Sequence, residues 1–115
     1  MKITKTISAL ATIALLSGCA MSQERYMAMK TAFEGSPKLR QKAVAECELH
    51  ESKMSPKTIR NVALVANTTP DKMPYVICSR LMNGLVSGRL TYEDYRKTIT
   101  SDAPPPEVIK VIQGR

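Results

Sequence analysis

A chain of 115 residues has room for one small domain and no more. Its 17 Lys and Arg outweigh 10 Asp and Glu for a formal charge of +7, yet there is one Phe, no Trp and no clustered basic run. That distribution speaks against nucleic acid as a partner, which calls for a basic patch with stacking groups beside it. It leaves open a solvated surface or one that meets an acidic polymer or membrane.

Residues 1 to 18 are organised as an export signal. Lys2 and Lys5 form a charged start, and Ile7 to Leu16 form an apolar run. The run is about half of the roughly 20 residues that a spanning helix needs. It ends in Leu16-Ser17-Gly18-Cys19 and turns polar at once. This stretch resembles the lipobox of bacterial lipoproteins. The resemblance implies that Cys19 is acylated on sulfur, that the chain is cut before it and that the new amino terminus is acylated too. Ala20, where some lipoproteins carry an acidic residue, implies an outer-membrane destination, with the protein facing the periplasm. An uncleaved anchor, or an ordinary signal peptide that happens to contain Cys19, is the alternative. Without the signal, 97 of the 115 residues remain, with 15 basic and 10 acidic side chains and a formal +5 with His50 neutral.

The remainder reads as an all-α domain of four or five short helices, over residues 36 to 115, following a lipidated tether at 19 to 35. Ala20 to Gly35 is polar and loosely patterned, with a short helix allowed over Arg25 to Phe33. Ser36-Pro37 and Ser55-Pro56 each pair an N-cap with a proline suited to the first helical position. After the first, Leu39, Ala43, Cys47, His50 and Met54 fall within about 80° of one another, an inward stripe. After the second, Ile59, Val62, Ala63 and Ala66 face inward. Leu64 and Val65 widen that face, predicting enclosure on more than one side, and Asn67 to Thr69 stop the helix.

The next helix is expected to start at Met73-Pro74, with Tyr75, Cys78, Leu81, Met82, Leu85 and Val86 on an apolar face of about 140°. Gly84 and Gly88 in it are read as close packing or a helix end. Thr91 and Asp94 then have capping-box spacing, and Leu90 and Tyr95 that of a hydrophobic staple. Tyr92, Tyr95 and Ile99 point one way. Pro104 to Pro106 should be stiff and extended, before a last segment, Glu107 to Arg115, expected to dock as a helix or, alternatively, a strand.

Leu81 to Lys97 also resembles the short bacterial helical hairpin called SHOCT, with matches at Gly88, Leu90, Thr91, Glu93 and Tyr95. Asp94 replaces a Glu, and the upstream leucine spacing departs from the pattern. The resemblance implies an interaction or oligomerisation element, with Arg89, Leu90, Tyr92 and Tyr95 as candidate contact residues.

With Cys19 assigned to the lipid, Cys47 and Cys78 remain in an oxidising compartment and are expected to pair. Cys47-x2-His50 with Cys78 could supply three zinc ligands, but no fourth has sensible spacing. There is no HExxH, GxSxG or phosphate loop, so no catalytic residue, metal or cofactor is assigned. The expectation is a non-enzymatic accessory lipoprotein that binds a protein partner. An envelope-binding lipoprotein recognising an anionic lipid or glycan is the alternative, and an entry-exclusion or lysis lipoprotein of a mobile element the weaker one.

Overall fold

In a computed structural model, residues 20 to 115 are described, and there the chain is all-helical. Six helices follow one another: α1 (Gln23–Gly35), α2 (Pro37–Glu51), α3 (Pro56–Val65), α4 (Met73–Val86), α5 (Tyr92–Thr100) and α6 (Pro106–Gln113). The signal and Cys19 lie outside the described residues.

The caps act as their spacing predicts. Ser36 Oγ accepts the Leu39 amide at 3.1 Å, and Ser55 Oγ accepts the Thr58 amide at 3.2 Å. Pro37 and Pro56 open α2 and α3, where their missing N–H leaves no intrahelical bond unmade. Asn67 ends α3 in the left-handed region at φ 54. Its amide bonds the Leu64 carbonyl at 3.3 Å and the Thr68 amide bonds the Ala63 carbonyl at 3.0 Å, the paired bonds of a Schellman stop. The last segment resolves as helix α6, not strand.

The short helix allowed over Arg25 to Phe33 is present and extends further at both ends. Gln23–Gly35 is a helix capped by Ser22, and it packs on α2, α4 and α5. It escapes a periodicity search because Tyr26 is its only buried side chain, so no stripe is written into the sequence. Among the described residues there are thus six helices, five of them within 36 to 115 as expected, with α1 packed on that bundle.

α4 is the central helix, with α1, α2, α3 and α6 all packed against it. The core is small: Ala63, Ala66, Met73 and Ile77 are buried together, with Ile59, Val62, Leu81 and Ile112 half-buried around them. Val108 and Val111 bring α6 into the same interior. Gly84 lets α6 and the α4–α5 turn come close, since a Cβ there would stand 3.0 Å from Leu90 and 3.1 Å from Val111. Tight packing thus accounts for Gly84, and Gly88, at φ 80, is the left-handed helix end.

Two expected faces are less buried than their patterns suggest. α2 has no fully buried residue: Leu39 is exposed, His50 is exposed, and Met54 lies beyond the helix end. The reason is that α2 rests chiefly on α4 and α1 and has no layer outside it. On α3, Leu64 is 77% exposed and Val65 47%, because that helix leans on α4 along one side only.

Cys47 and Cys78 are joined, S–S 2.05 Å, tying α2 to α4 across 31 positions. With so few buried side chains, this bond carries a large share of the stability. A loop of that length is worth roughly 3.5 kcal/mol through the unfolded chain. The double variant Cys47→Ser/Cys78→Ser should therefore melt more than about 15 °C lower, and reduced wild type should melt with it. An unchanged thermal midpoint would contradict this role.

Candidate interaction surface

The turn from α4 into α5 is built by the reciprocal capping box read from the sequence. The Asp94 amide donates to Thr91 Oγ1 at 3.1 Å, and the Thr91 amide donates to Asp94 Oδ2 at 3.0 Å. This fixes the direction of α5 and so the positions of Tyr92 and Tyr95. Both meet Tyr26 of α1, with ring centroids 5.6 Å apart in each pair, and lie 5.9 Å from each other. Such spacings give edge and offset contacts beyond simple burial.

The three hydroxyls are directed at backbone. Tyr26 Oη donates to the Leu90 carbonyl at 3.0 Å, which locks α1 onto the α4–α5 turn. Tyr92 Oη donates to the Met21 carbonyl at 2.9 Å, and the Met21 amide donates to Tyr95 Oη at 2.8 Å. One residue, 71 to 74 positions away in sequence, is thus held at both its polar groups. Burial, and then the negative charge of Asp94, raise the Tyr26 hydroxyl above its ordinary pKa.

The four hairpin candidates come together, but much of their chemistry is directed into the protein itself. Arg89 pairs with Glu107 of α6 at 2.6 Å. Leu90 covers Gly84 and, with Tyr26, Leu81, Leu85 and Tyr95, lines an apolar cleft of about 190 Å³. Tyr92 and Tyr95 grip Met21. Sequence reasoning missed Tyr26 and Met21, whose roles depend on contacts with no local signature.

A different face is open. Along the seam of α2 and α4 runs a cleft of about 340 Å³ lined by Arg40, Val44, Glu48, Tyr75, Ser79 and Met82 among others. It meets a second cleft of about 320 Å³, which shares Ala45 and Glu48 and continues to Leu49, Asp71 and Pro74. Tyr75 is 55% exposed and Leu49 61%. Tyr75 was expected on the core side of its helix. With Met82 it lines the seam instead, while Leu81 and Leu85 of the same pattern line the cleft toward α5, so the two edges of that broad apolar face have different neighbours. Arg40 is drawn aside to bond the Phe33 and Glu34 carbonyls at the end of α1.

A third cleft gathers Arg80, Arg89 and Arg115, a candidate anion site by charge. All three bond within the fold, Arg115 to Gln113 Oε1 at 3.3 Å. Arg80 Nη1 bonds the Ala66 and Ile112 carbonyls, both at 2.6 Å, closing the ends of α3 and α6, and Arg89 holds Glu107. Among the described residues, no three His, Cys, Asp or Glu side chains are grouped to hold a metal ion.

Tyr95→Phe should remove the acceptor of the Met21 amide and speed its hydrogen exchange, while the thermal midpoint shifts by no more than a bond worth about 1 kcal/mol. Equal exchange in both proteins would contradict the grip on Met21. Alkali gives a second check. Because Tyr26 has a raised pKa, its neutral form stabilises the fold fully below pH 10.0, the ordinary value, and that contribution is lost as pH rises through the folded pKa. Denaturant titrations above pH 10 should show wild type losing stability more steeply than Tyr26→Phe.

Comparison of the chain with family models, with curated proteins and with solved structures returns no significant match.

Proposed function

We propose that this is a non-enzymatic lipoprotein, anchored through Cys19 at the periplasmic face of the outer membrane, that binds a protein partner along the α2–α4 seam. The observation that carries the reading is the pair of adjoining clefts with Tyr75 and Leu49 exposed on helices joined by a disulfide. An exposed tyrosine beside a concave seam matches the aromatic anchors of protein interfaces, and Leu49 adds apolar area next to it. The disulfide keeps the seam at fixed width, so little ordering is lost on binding. An anionic lipid or glycan is the weaker reading, because the arginine cleft is largely engaged by its own carbonyls and by Glu107.

The anchor has a direct test: Cys19→Ser should leave the protein unacylated and released from the membrane fraction, with its disulfide intact. Retention of that variant in washed membranes would contradict anchoring by lipid. The seam is tested with a photo-reactive phenylalanine analogue at Tyr75 in intact cells, with the same group at the exposed Leu64 of α3 as control. A reproducible protein adduct from position 75 and none from 64 is expected. No adduct at 75, or equal adducts at both, would contradict the seam as the binding face.

A further inference from the structure

The grip on Met21 sets how a lipid at Cys19 would present the domain. We infer that Tyr92 and Tyr95 act as an anchor seat that holds the α5 face of the domain against the phospholipid bilayer, so that the protein lies on the membrane in one orientation. This rests on the acylation of Cys19 proposed above and adds to it a membrane-contacting surface.

The length of free chain makes the case. Met21 is fixed at its amide by Tyr95 and at its carbonyl by Tyr92, and Ser22 caps α1 immediately afterwards. Ala20 is the one residue between this clamp and the lipid site. From Met21 to Cys19 the chain can reach no more than about 7 Å. That is less than the roughly 10 Å diameter of a single helix, so the domain has no room to stand away from the headgroups. The side of α5 that carries the clamp must face them.

The residues of that side suit the position. Ile99 follows Tyr95 by four, which at 100° per residue sets it about 40° from Tyr95 and about 20° from Tyr92. It is 47% exposed, a large apolar side chain with no core to enter. Arg96 follows Tyr92 by four, and its exposed guanidinium lies 3.5 Å from Glu93, a loose pair that leaves it able to meet a phosphate. An apolar tip beside a cation is the pairing that sits well at the boundary between acyl chains and headgroups. The α2–α4 seam opens from the side of α4 carrying Tyr75 and Met82, roughly 60 to 120° around that helix from Leu81 and Leu85, which look toward α5. The domain can therefore rest on lipid and still present its seam to the periplasm.

The test uses the full chain in its own membranes, with a photo-reactive phenylalanine analogue at Ile99 or, as control, at the exposed Lys57 of α3. Irradiation should give phospholipid adducts at position 99 several-fold above those at 57. Inserting a Gly-Ser linker of about 20 residues between Cys19 and Ala20, with a reach of about 25 Å, leaves the clamp and the fold untouched and should bring the adducts at 99 down to the control level. Tyr92→Phe/Tyr95→Phe should lower them too, with the helical signal and the disulfide retained. Acylation is read separately from the mass of the amino-terminal peptide. Acylated protein with equal adducts at 99 and 57, or adducts at 99 that survive the linker, would overturn the seat while leaving the anchor in place. An unacylated chain would overturn both.

Discussion

The bond between Cys47 and Cys78 is the constraint on which the rest of the domain depends. α2 buries no residue completely and is tied to α4 by this covalent bond. Small domains bury a low fraction of their surface and are marginal for that reason. Here a covalent link between the central helix and its least buried neighbour supplies what packing does not. The same link fixes both walls of the seam, so the element that stabilises the fold also shapes the concave surface between α2 and α4.

A second constraint acts at the other side of α4. The capping box at Thr91 sets α5, α5 places Tyr92 and Tyr95, and these fasten Met21 and, through Tyr26, α1. Charged groups take part as closures between elements: Arg80 joins the ends of α3 and α6, Arg40 the end of α1, and Arg89 joins the α5 entry to α6. Several of the basic residues that raise the net charge thus serve internal carbonyls and carboxylates instead of a ligand. Net charge alone is a weak guide to what such a protein binds.

Local chemistry was legible in the sequence wherever it was self-contained. Ser36-Pro37, Ser55-Pro56 and Thr91 each mark a helix start because a cap involves residues only three or four apart, and Met73-Pro74 marks one through its proline alone. The disulfide is the pairing expected of the two cysteines that remain beside Cys19, and the roles of Gly84 and Gly88 are those expected from their spacing. What stayed hidden depended on contacts distant in sequence. α1 has one buried residue and so no period; its ordering comes from Tyr26 meeting α5. Leu39, Leu64 and Tyr75 follow helical patterns but face outward, because a period shows which residues share a side and not whether anything covers it. The hairpin residues Arg89, Leu90, Tyr92 and Tyr95 lie at one turn, where the chain's own amino-terminal segment and α6 occupy much of their bonding capacity.

The proposed lipid anchor and the disulfide are tested together most directly by the mass of the protein extracted from envelope membranes and alkylated before any reduction. A chain that starts at Cys19, carries lipid on that residue and takes up no alkylating reagent at Cys47 or Cys78 is the expected species. A chain that retains residues 1 to 18, or lacks lipid at Cys19, or is alkylated at both remaining cysteines would contradict it.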